Sequence, residues 1–315
     1  MTPFAIAGVQ MHLQFGDNLD AMRQRLQVLM HLYPWVQMAV FSELCVYGPG
    51  LQRAQRMPGP AEDALRDMAR EFALWLVPGS MYENRDGRIY NTTPIIDPDG
   101  NVIARYRKMF PFAPLEEGVT PGDEFCVFEV PGVGKFAVLN CYDIWFPETT
   151  RTVTAMGAEV ILHPVMTHTI DRDVDLNVAK ASAAMFQSYV FDINGLYAGG
   201  NGQSCVLDPS GRVIHQCGTA EEMIPVEIDL EQVRRQRVRG MRTLGQPLKS
   251  FRDRPVEFDV YTPGVKHPHL ESLGPLIKPK RVQELGELQI KDEHRSHELP
   301  KQMITSFRPP SENIE

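Results

Sequence analysis

The chain has 315 residues, with 32 Lys and Arg against 40 Asp and Glu and a formal charge of −8. Hydrophobic residues make up 43% and charged residues 23%, a globular composition long enough to bury a core, which excludes a disordered chain or a disulfide scaffold. The acidic balance argues against nucleic acid or an anionic membrane as partner, and no apolar run of about 18 residues offers a membrane span.

The opening stretch, Met1 to Asp17, has no basic start and no long apolar run. No secretory leader is expected, and the chain reads as cytoplasmic. Phe4 to Gln10 reads as a strand. Asp17 is the expected helix N-cap, with Leu19, Met22, Leu26, Leu29, Met30 and Tyr33 on one face. Gln37 to Ser42 is a second strand that delivers Glu43. Ala61 to Phe72 reads as a helix and Trp75 to Tyr82 as a strand. Strands alternating with helices of these lengths predict an α/β protein.

Residues 89–107 then contain Asp97-Pro-Asp-Gly100 between two apolar runs, the signal of a hairpin. The pattern returns as Asp208-Pro-Ser-Gly211 within 206–218. Two copies suggest two related halves, although a repeat this short also fits convergent turn chemistry. Between them, Lys135 to Asn140 reads as a strand and Pro147 to Gly157 as a helix with proline in its first turn. Glu159 to His163, Phe191 to Tyr197, Gln203 to Leu207 and Met223 to Ile228 read as strands. Asp175 to Val190 and Leu230 to Val238 read as helices, the latter capped by Asp229. The expected domain is 1–260. Residues 261–315, rich in proline and charge, form a C-terminal extension, either disordered or an oligomer-contact arm anchored by Tyr261, Leu270, Leu273, Leu276 and Ile277.

The five cysteines are Cys45, Cys126, Cys141, Cys205 and Cys217. Their odd count, wide spacing and lack of a CxxC pair speak for reduced thiols rather than disulfides or a zinc knuckle. All but Cys141 read as small buried apolar residues. Cys141 lies at a strand end before a helix, where positive helix-end charge lowers a thiol pKa and free N–H groups can hold an oxyanion. No histidine has the context of its base, and no His spacing suggests a metal. Glu43, at its own strand end, is a carboxylate alternative. Lys108, ending the first hairpin, is a candidate cation for the oxyanion. Each alone reads equally as a structural cysteine or a surface charge.

Taken together, the segments FSELCVYG (41–48), RYRKMF (105–110) and LNCYDIWFPE (139–148) resemble the signature blocks of the nitrilase superfamily, the carbon–nitrogen hydrolases, in that family's order. The blocks at 91–108, 194–214 and 226–234 extend the likeness over roughly residues 3 to 240. The resemblance implies a four-layer α-β-β-α sandwich with pseudo-two-fold symmetry. It implies Glu43 as general base, Lys108 as oxyanion-stabilising cation and Cys141 as nucleophile, with Glu116 (or its neighbour Glu117) as a second glutamate orienting Lys108. The Tyr142 N–H would complete the oxyanion site. No cofactor and no metal are implied, and a homo-oligomer is expected.

The expected reaction is hydrolysis of a small amide to ammonia and an acid through a thioester. Nitrile hydrolysers of the family usually carry Cys-Trp-Glu at the nucleophile; this chain has Cys141-Tyr142-Asp143, as amidase-like members do. Carbamoylase-like members have a basic pair soon after the cysteine, where this chain has Asp143, Ile144 and Trp145. Nitrile or N-carbamoyl hydrolysis and a non-catalytic binding protein of the same fold stay as alternatives. Tyr47, Phe112, Trp145, Met166 and His168 are candidate pocket walls, His163 is a further candidate, and Arg172 or Asp173 is a candidate for meeting a polar substrate end. Asn91-Thr-Thr93 reads as a chance glycosylation sequon, and the run Arg234, Arg235, Arg237, Arg239 and Arg242 as a solvated helix face.

Overall fold

Burial on both faces of the first strand sets the architecture. In the computed structural model, which describes residues 3–113, 115–243 and 245–276, β1 (Phe4–Gln10) is buried at every position. Phe4 and Ile6 enter one core, and Ala7 and Val9 another. Successive side chains of a strand point to opposite faces, so a strand buried throughout must be covered on both.

The chain continues through β2 (His12–Leu13), α1 (Leu19–Leu32), β3 (Met38–Phe41), α2 (Pro60–Phe72), β4 (Trp75–Val77), β5 (Met81–Arg85), β6 (Arg88–Ile96) and β7 (Val102–Arg107). After a long connection come β8 (Val127–Val130), β9 (Gly134–Val138), α3 (Pro147–Ala155), β10 (Val160–Val165), α4 (Arg172–Phe186) and β11 (Tyr189–Asn194). The short β12 (Leu196–Tyr197) and β13 (Gly200–Asn201) precede β14 (Cys205–Leu207), β15 (Val213–Gln216) and β16 (Glu222–Ile228). Three helices follow: α5 (Leu230–Arg239), α6 (Pro247–Arg252) and α7 (Pro268–Glu271).

The first sheet runs β16-β1-β3-β4-β6, with β6 also flanked by β5 and β7; the second runs β15-β14-β11-β10-β9-β8. β1, β3 and β4 are mutually parallel, as are β9, β10 and β11. Helices α1 and α2 cover the outer face of the first sheet, where Met22, Leu26, Leu65 and Met68 meet Val9, Phe41 and Leu76. The other core runs between the sheets, through Ile6, Val40 and Ile95 against Phe136, Val138 and Leu162, and on to Val153, Leu176 and Ala183 of α3 and α4. The result is an α-β-β-α sandwich. The sheets approach so closely at Gly8 that a Cβ there would lie 2.3 Å from Ile193 Cδ1.

The two hairpins close alike. Asp97 N–H donates to Asn101 O at 2.9 Å, and Gly100 N–H to Asp97 O at 2.9 Å. Asp208 N–H donates to Arg212 O and Gly211 N–H to Asp208 O, both at 2.9 Å. The aspartate carboxylates accept further N–H groups across their turns. The glycines sit at φ 77° and 75°, the left-handed region that glycine enters without strain.

Several boundaries differ from the sequence expectation. The strand expected over 75–82 is two strands, β4 and β5, because the chain breaks at Gly79, whose φ is 73° and whose added Cβ would meet Ser42 O at 1.8 Å. The N-cap of α1 is Asn18, while Asp17 Oδ1 accepts from Leu19 N at 2.9 Å. Helix α4 starts earlier and stops at Gln187 in the left-handed region (φ 49°), so its apparent continuation to Val190 is already β11. That strand ends at Asn194, and Leu196 and Tyr197 pair with β2 and β13 instead. The arginine run is not simply solvated. Arg234 pairs with Glu159, and Arg237 donates to Ala158 O and Ser188 Oγ. Of the extension expected from 261, Tyr261 donates to Glu148 Oε1 at 2.8 Å, and Leu270, Leu273 and Leu276 are exposed. Residues 277–315, with Ile277, lie outside the described residues. Among the described residues no helix is long and apolar enough to cross a membrane.

Candidate active site

Three strand ends deliver the expected side chains to one buried point. Beyond β3 the chain turns through Glu43 into Leu44, which sits at φ 52°. Glu43 N–H donates to Val165 O at 3.2 Å, tying this turn to β10 of the opposite sheet. Lys108 follows β7, and its N–H donates to Asn91 O of β6 at 2.9 Å. Cys141 follows β9 and opens a 3-10 turn, Cys141–Trp145, at φ 47°. A non-glycine residue at positive φ is strained and persists only where its surroundings hold it.

Asp143 does much of that holding. Fully buried, it accepts from Tyr106 OH at 2.7 Å, Phe110 N at 2.8 Å and Asn140 N at 2.9 Å. Thr93 Oγ1 donates to Asn140 Oδ1 at 3.0 Å. The cysteine turn is thereby fastened to the strands that carry Asn91 and Lys108. On the other side, His163 Nε2 lies 2.9 Å from Cys141 O and Nδ1 lies 2.9 Å from Asp192 Oδ2. Both partners are acceptors, an arrangement that favours the imidazolium, in which both ring nitrogens donate. Burial opposes that charge, but Asp192 outweighs it and raises the His163 pKa. Arg172, 1% exposed, also pairs with Asp192 and donates to Gly202 O at 3.2 Å and Gln203 O at 2.9 Å. It is a buried strut, not the free substrate-binding arginine expected, and Asp173 lies exposed in the first turn of α4.

At the centre, Lys108 Nζ donates to Glu43 Oε1 at 2.8 Å and to Glu116 Oε2 at 2.7 Å. Asn91 Nδ2 donates to Glu43 Oε1 at 2.9 Å and Glu116 Oε1 at 2.8 Å, and Phe112 N–H to Glu116 Oε2 at 2.7 Å. Glu116 is therefore the second glutamate at Lys108, while Glu117 is exposed. Glu43 is within hydrogen-bonding reach of the Cys141 thiol.

The charges follow. Burial raises the Glu43 pKa, only partly offset by Lys108. At Glu116 the same burial is outweighed by Lys108 and by the hydrogen bonds it accepts, and its pKa is lowered. Burial works against the Lys108 ammonium, but the Glu43 and Glu116 carboxylates hold it charged, well above an ordinary lysine. The thiol departs from expectation. Burial and the Glu43 charge push Cys141 well up, outweighing Lys108 and the Met166 main-chain hydrogen bond. It rests as a neutral thiol beside the Glu43 carboxylate, not as a preformed thiolate.

Next to Cys141 in the chain, Tyr142 meets Phe112 edge-on with ring centroids 5.0 Å apart and lies tilted to Trp145 at 6.0 Å. Phe112 and Trp145 keep exposed edges, and Trp145 Nε1 donates to Asp175 Oδ1 at 2.9 Å. Met166 packs against the Leu44, Tyr82 and Val119 cluster. His168 is partly exposed, and burial lowers its pKa. Tyr47 packs with the outer core beneath the helices rather than with this wall. Sequence reasoning missed Asn91. By sequence it reads as a sequon, yet it is wholly buried and holds both glutamates; its place in a strand beside the hairpin is the available signal. Two cavities, of about 370 and 490 Å³, lie elsewhere and include none of Glu43, Lys108 and Cys141 in their walls.

A strained cysteine beside a carboxylate and a clamped ammonium, on a two-sheet sandwich, is an arrangement suited to attack by sulfur. The family model for carbon–nitrogen hydrolases matches residues 6–238. The chain belongs to that family, within the nitrilase superfamily, and is an enzyme of carbon–nitrogen bond hydrolysis. Over 202 residues it is 30% identical to the omega-amidase NIT2 of Xenopus tropicalis, an alignment covering 56% of this chain and 70% of that protein. The omega-amidase NIT2 of Danio rerio is 28% identical over 261 residues, covering 73% and 90%. Among solved structures, Saccharomyces cerevisiae Nit3, a member of branch 10 of the nitrilase superfamily, superposes with a TM-score of 0.70 at 25% identity, covering 75% of this chain and 93% of Nit3.

Proposed function

We propose that the protein hydrolyses a small linear amide to ammonia and a carboxylic acid through a thioester on Cys141. The observation that carries this reading is the Lys108 ammonium held between Glu43 and Glu116 beside a thiol that Glu43 can reach.

Because the thiol rests protonated, attack is coupled to proton transfer. Glu43 takes the Cys141 proton as sulfur bonds to the amide carbon. Charge moves onto the carbonyl oxygen, where Lys108 and the Tyr142 N–H hold it. Glu43 then gives its proton to the nitrogen, the carbon–nitrogen bond breaks, and ammonia leaves a thioester. Glu43 takes a proton from water, hydroxide attacks the thioester, and the acid departs as sulfur recovers its proton. Glu116 and Asn91 keep Lys108 and Glu43 in place throughout. The Phe112, Tyr142 and Trp145 wall suits a short acyl group.

Omega-amidase is the name of the relatives, and amides are therefore the first substrates to offer. Ammonia release is to be followed over a panel of short aliphatic amides, ω-amides of dicarboxylic acids, nitriles and N-carbamoyl compounds. Turnover of at least one amide, faster than any nitrile, and its loss in Cys141→Ala are the expected results. Full activity in Cys141→Ala removes the scheme. Nitriles turned over faster than every amide would reassign the substrate.

A further inference from the structure

β15 and β16 are edge strands of different sheets, and the chain passes directly from one to the other. His215 and Cys217, two residues apart on extended chain, turn their side chains to one side. Glu222 opens β16. One donor atom from each, an imidazole nitrogen, the Cys217 sulfur and a carboxylate oxygen, all lie within 4.8 Å of one another. His215 Nε2 is hydrogen-bonded to Glu222 Oε1. Cys217 is buried, while the His215 and Glu222 side chains are 43% and 36% exposed. The cluster thus has a closed floor and an open side.

The connecting loop is fixed by groups outside it. Cys217 N–H donates to Ser204 O at 2.8 Å, and Gln203 N–H to Gly218 O at 2.9 Å. Gln10 Nε2 donates to Gly218 O at 3.0 Å and Ala220 O at 2.6 Å, and His12 N–H to Glu221 Oε1 at 2.9 Å. The cavity of about 370 Å³ beside α1 has Glu222 in its wall and gives a path from solvent.

We propose that His215, Cys217 and Glu222 form a binding site for a divalent transition-metal ion, zinc foremost, joining the edges of the two sheets. Imidazole nitrogen, thiolate sulfur and carboxylate oxygen are the donors zinc takes, and three protein ligands leave a fourth, tetrahedral position for water. The sulfur selects against calcium and magnesium, which require oxygen. With bonds of about 2.0–2.3 Å the donors must draw closer than the present 4.8 Å limit, a movement open to the two partly exposed side chains. On binding, three metal–ligand bonds form, the Cys217 thiol proton passes to solvent and the His215–Glu222 hydrogen bond gives way; no atom changes oxidation state. The site is remote in chain and in chemistry from Cys141 and does not depend on the reaction proposed for it.

The test uses full-length Cys141→Ala protein, so that no second reactive thiol competes, freed of metal by a chelator. Titration with Co²⁺ is expected to saturate at one equivalent, with sulfur-to-cobalt charge transfer in the near ultraviolet and the strong visible bands of a tetrahedral ion. Zn²⁺ should displace it, and should raise the unfolding midpoint where Mg²⁺ does not. His215→Ala and Cys217→Ser, introduced separately, should each weaken binding by about 10–100-fold or more, the scale on which even outer partners of a metal act. His215 is partly exposed, so its variant is expected to fold, and circular dichroism checks both. The absence of stoichiometric uptake, or uptake undiminished in both folded variants, overturns the proposal and leaves Glu222 as a hydrogen-bond bridge only.

Discussion

Two buried ionic triplets flank Cys141, and their charge patterns are inverted. On one side the Lys108 cation lies between Glu43 and Glu116; on the other the Asp192 anion lies between His163 and Arg172. The first presents a carboxylate and an ammonium to the sulfur. Among the described residues, the hydrogen bonds that the side chains of the second make outside the triplet go to main-chain oxygens, at Cys141, Gly202 and Gln203. The difference teaches that burial of charge serves two ends in this fold. In the proposed reaction one triplet holds the groups whose protons or fields act on a substrate, and the other is bonded to the strained peptide of the thiol. Removing one member of a buried ionic group leaves an uncompensated charge, which is where its cost lies.

Substitutions should separate the two. Glu43→Gln is expected to lower kcat for amide hydrolysis by about 10²–10⁴-fold, the worth of a general base. Its unfolding midpoint should hold or rise, since burial already disfavours the Glu43 charge. Asp192→Asn should do the reverse. It leaves two buried cations facing a neutral amide, so a loss of about 3–5 kcal/mol in denaturant unfolding is expected, with less loss of turnover per folded molecule. If Asp192→Asn cost only activity, or Glu43→Gln only stability, the contrast would fail.

Acid and base should also act differently on the two. Glu43 must be ionised to accept a proton, and its pKa is raised. The acid limb of kcat/KM should therefore lie above the ordinary glutamate range. His163 has a raised pKa, so its contribution to stability is complete below the ordinary value of 6.5 and is lost as pH rises through its folded value. An unfolding midpoint that falls over this alkaline-going range in the parent, but not in His163→Asn, sharpens the distinction. The smallest effect belongs to the paired hairpins. Asp97→Ala and Asp208→Ala should each cost about 1 kcal/mol, measured by thermal unfolding, with neither touching turnover.

Much of this was legible because it is local. Asp97 and Asp208 announce their turns within four residues, and both hairpins form as expected. Glu43, Lys108 and Cys141 each end a strand, and it is their three blocks together, in the order of the carbon–nitrogen hydrolases, that single them out. What was not legible depends on partners distant in sequence. Arg172 reads as a free cation until Asp192 and the carbonyls of 202 and 203 enclose it. Asn91 reads as a sequon until two glutamates arrive from residues 43 and 116. The strand break at Gly79 is imposed by the carbonyl of Ser42, a contact between neighbouring strand ends that no pattern within 75–82 contains. The thiol of Cys141 reads as acidified by a helix end; burial and Glu43 decide the opposite.

The central strands bury side chains on both faces, and that restricts where new preferences can arise. A change along β1 or β3 disturbs one packed layer or another, so the interior offers little room for innovation. The side chains beyond the strand ends that keep exposed surface, at Phe112, Tyr142, Trp145, Met166 and His168, are freer to vary. A lineage built on this scaffold would explore new acyl groups at its rim while inheriting the interior almost unchanged.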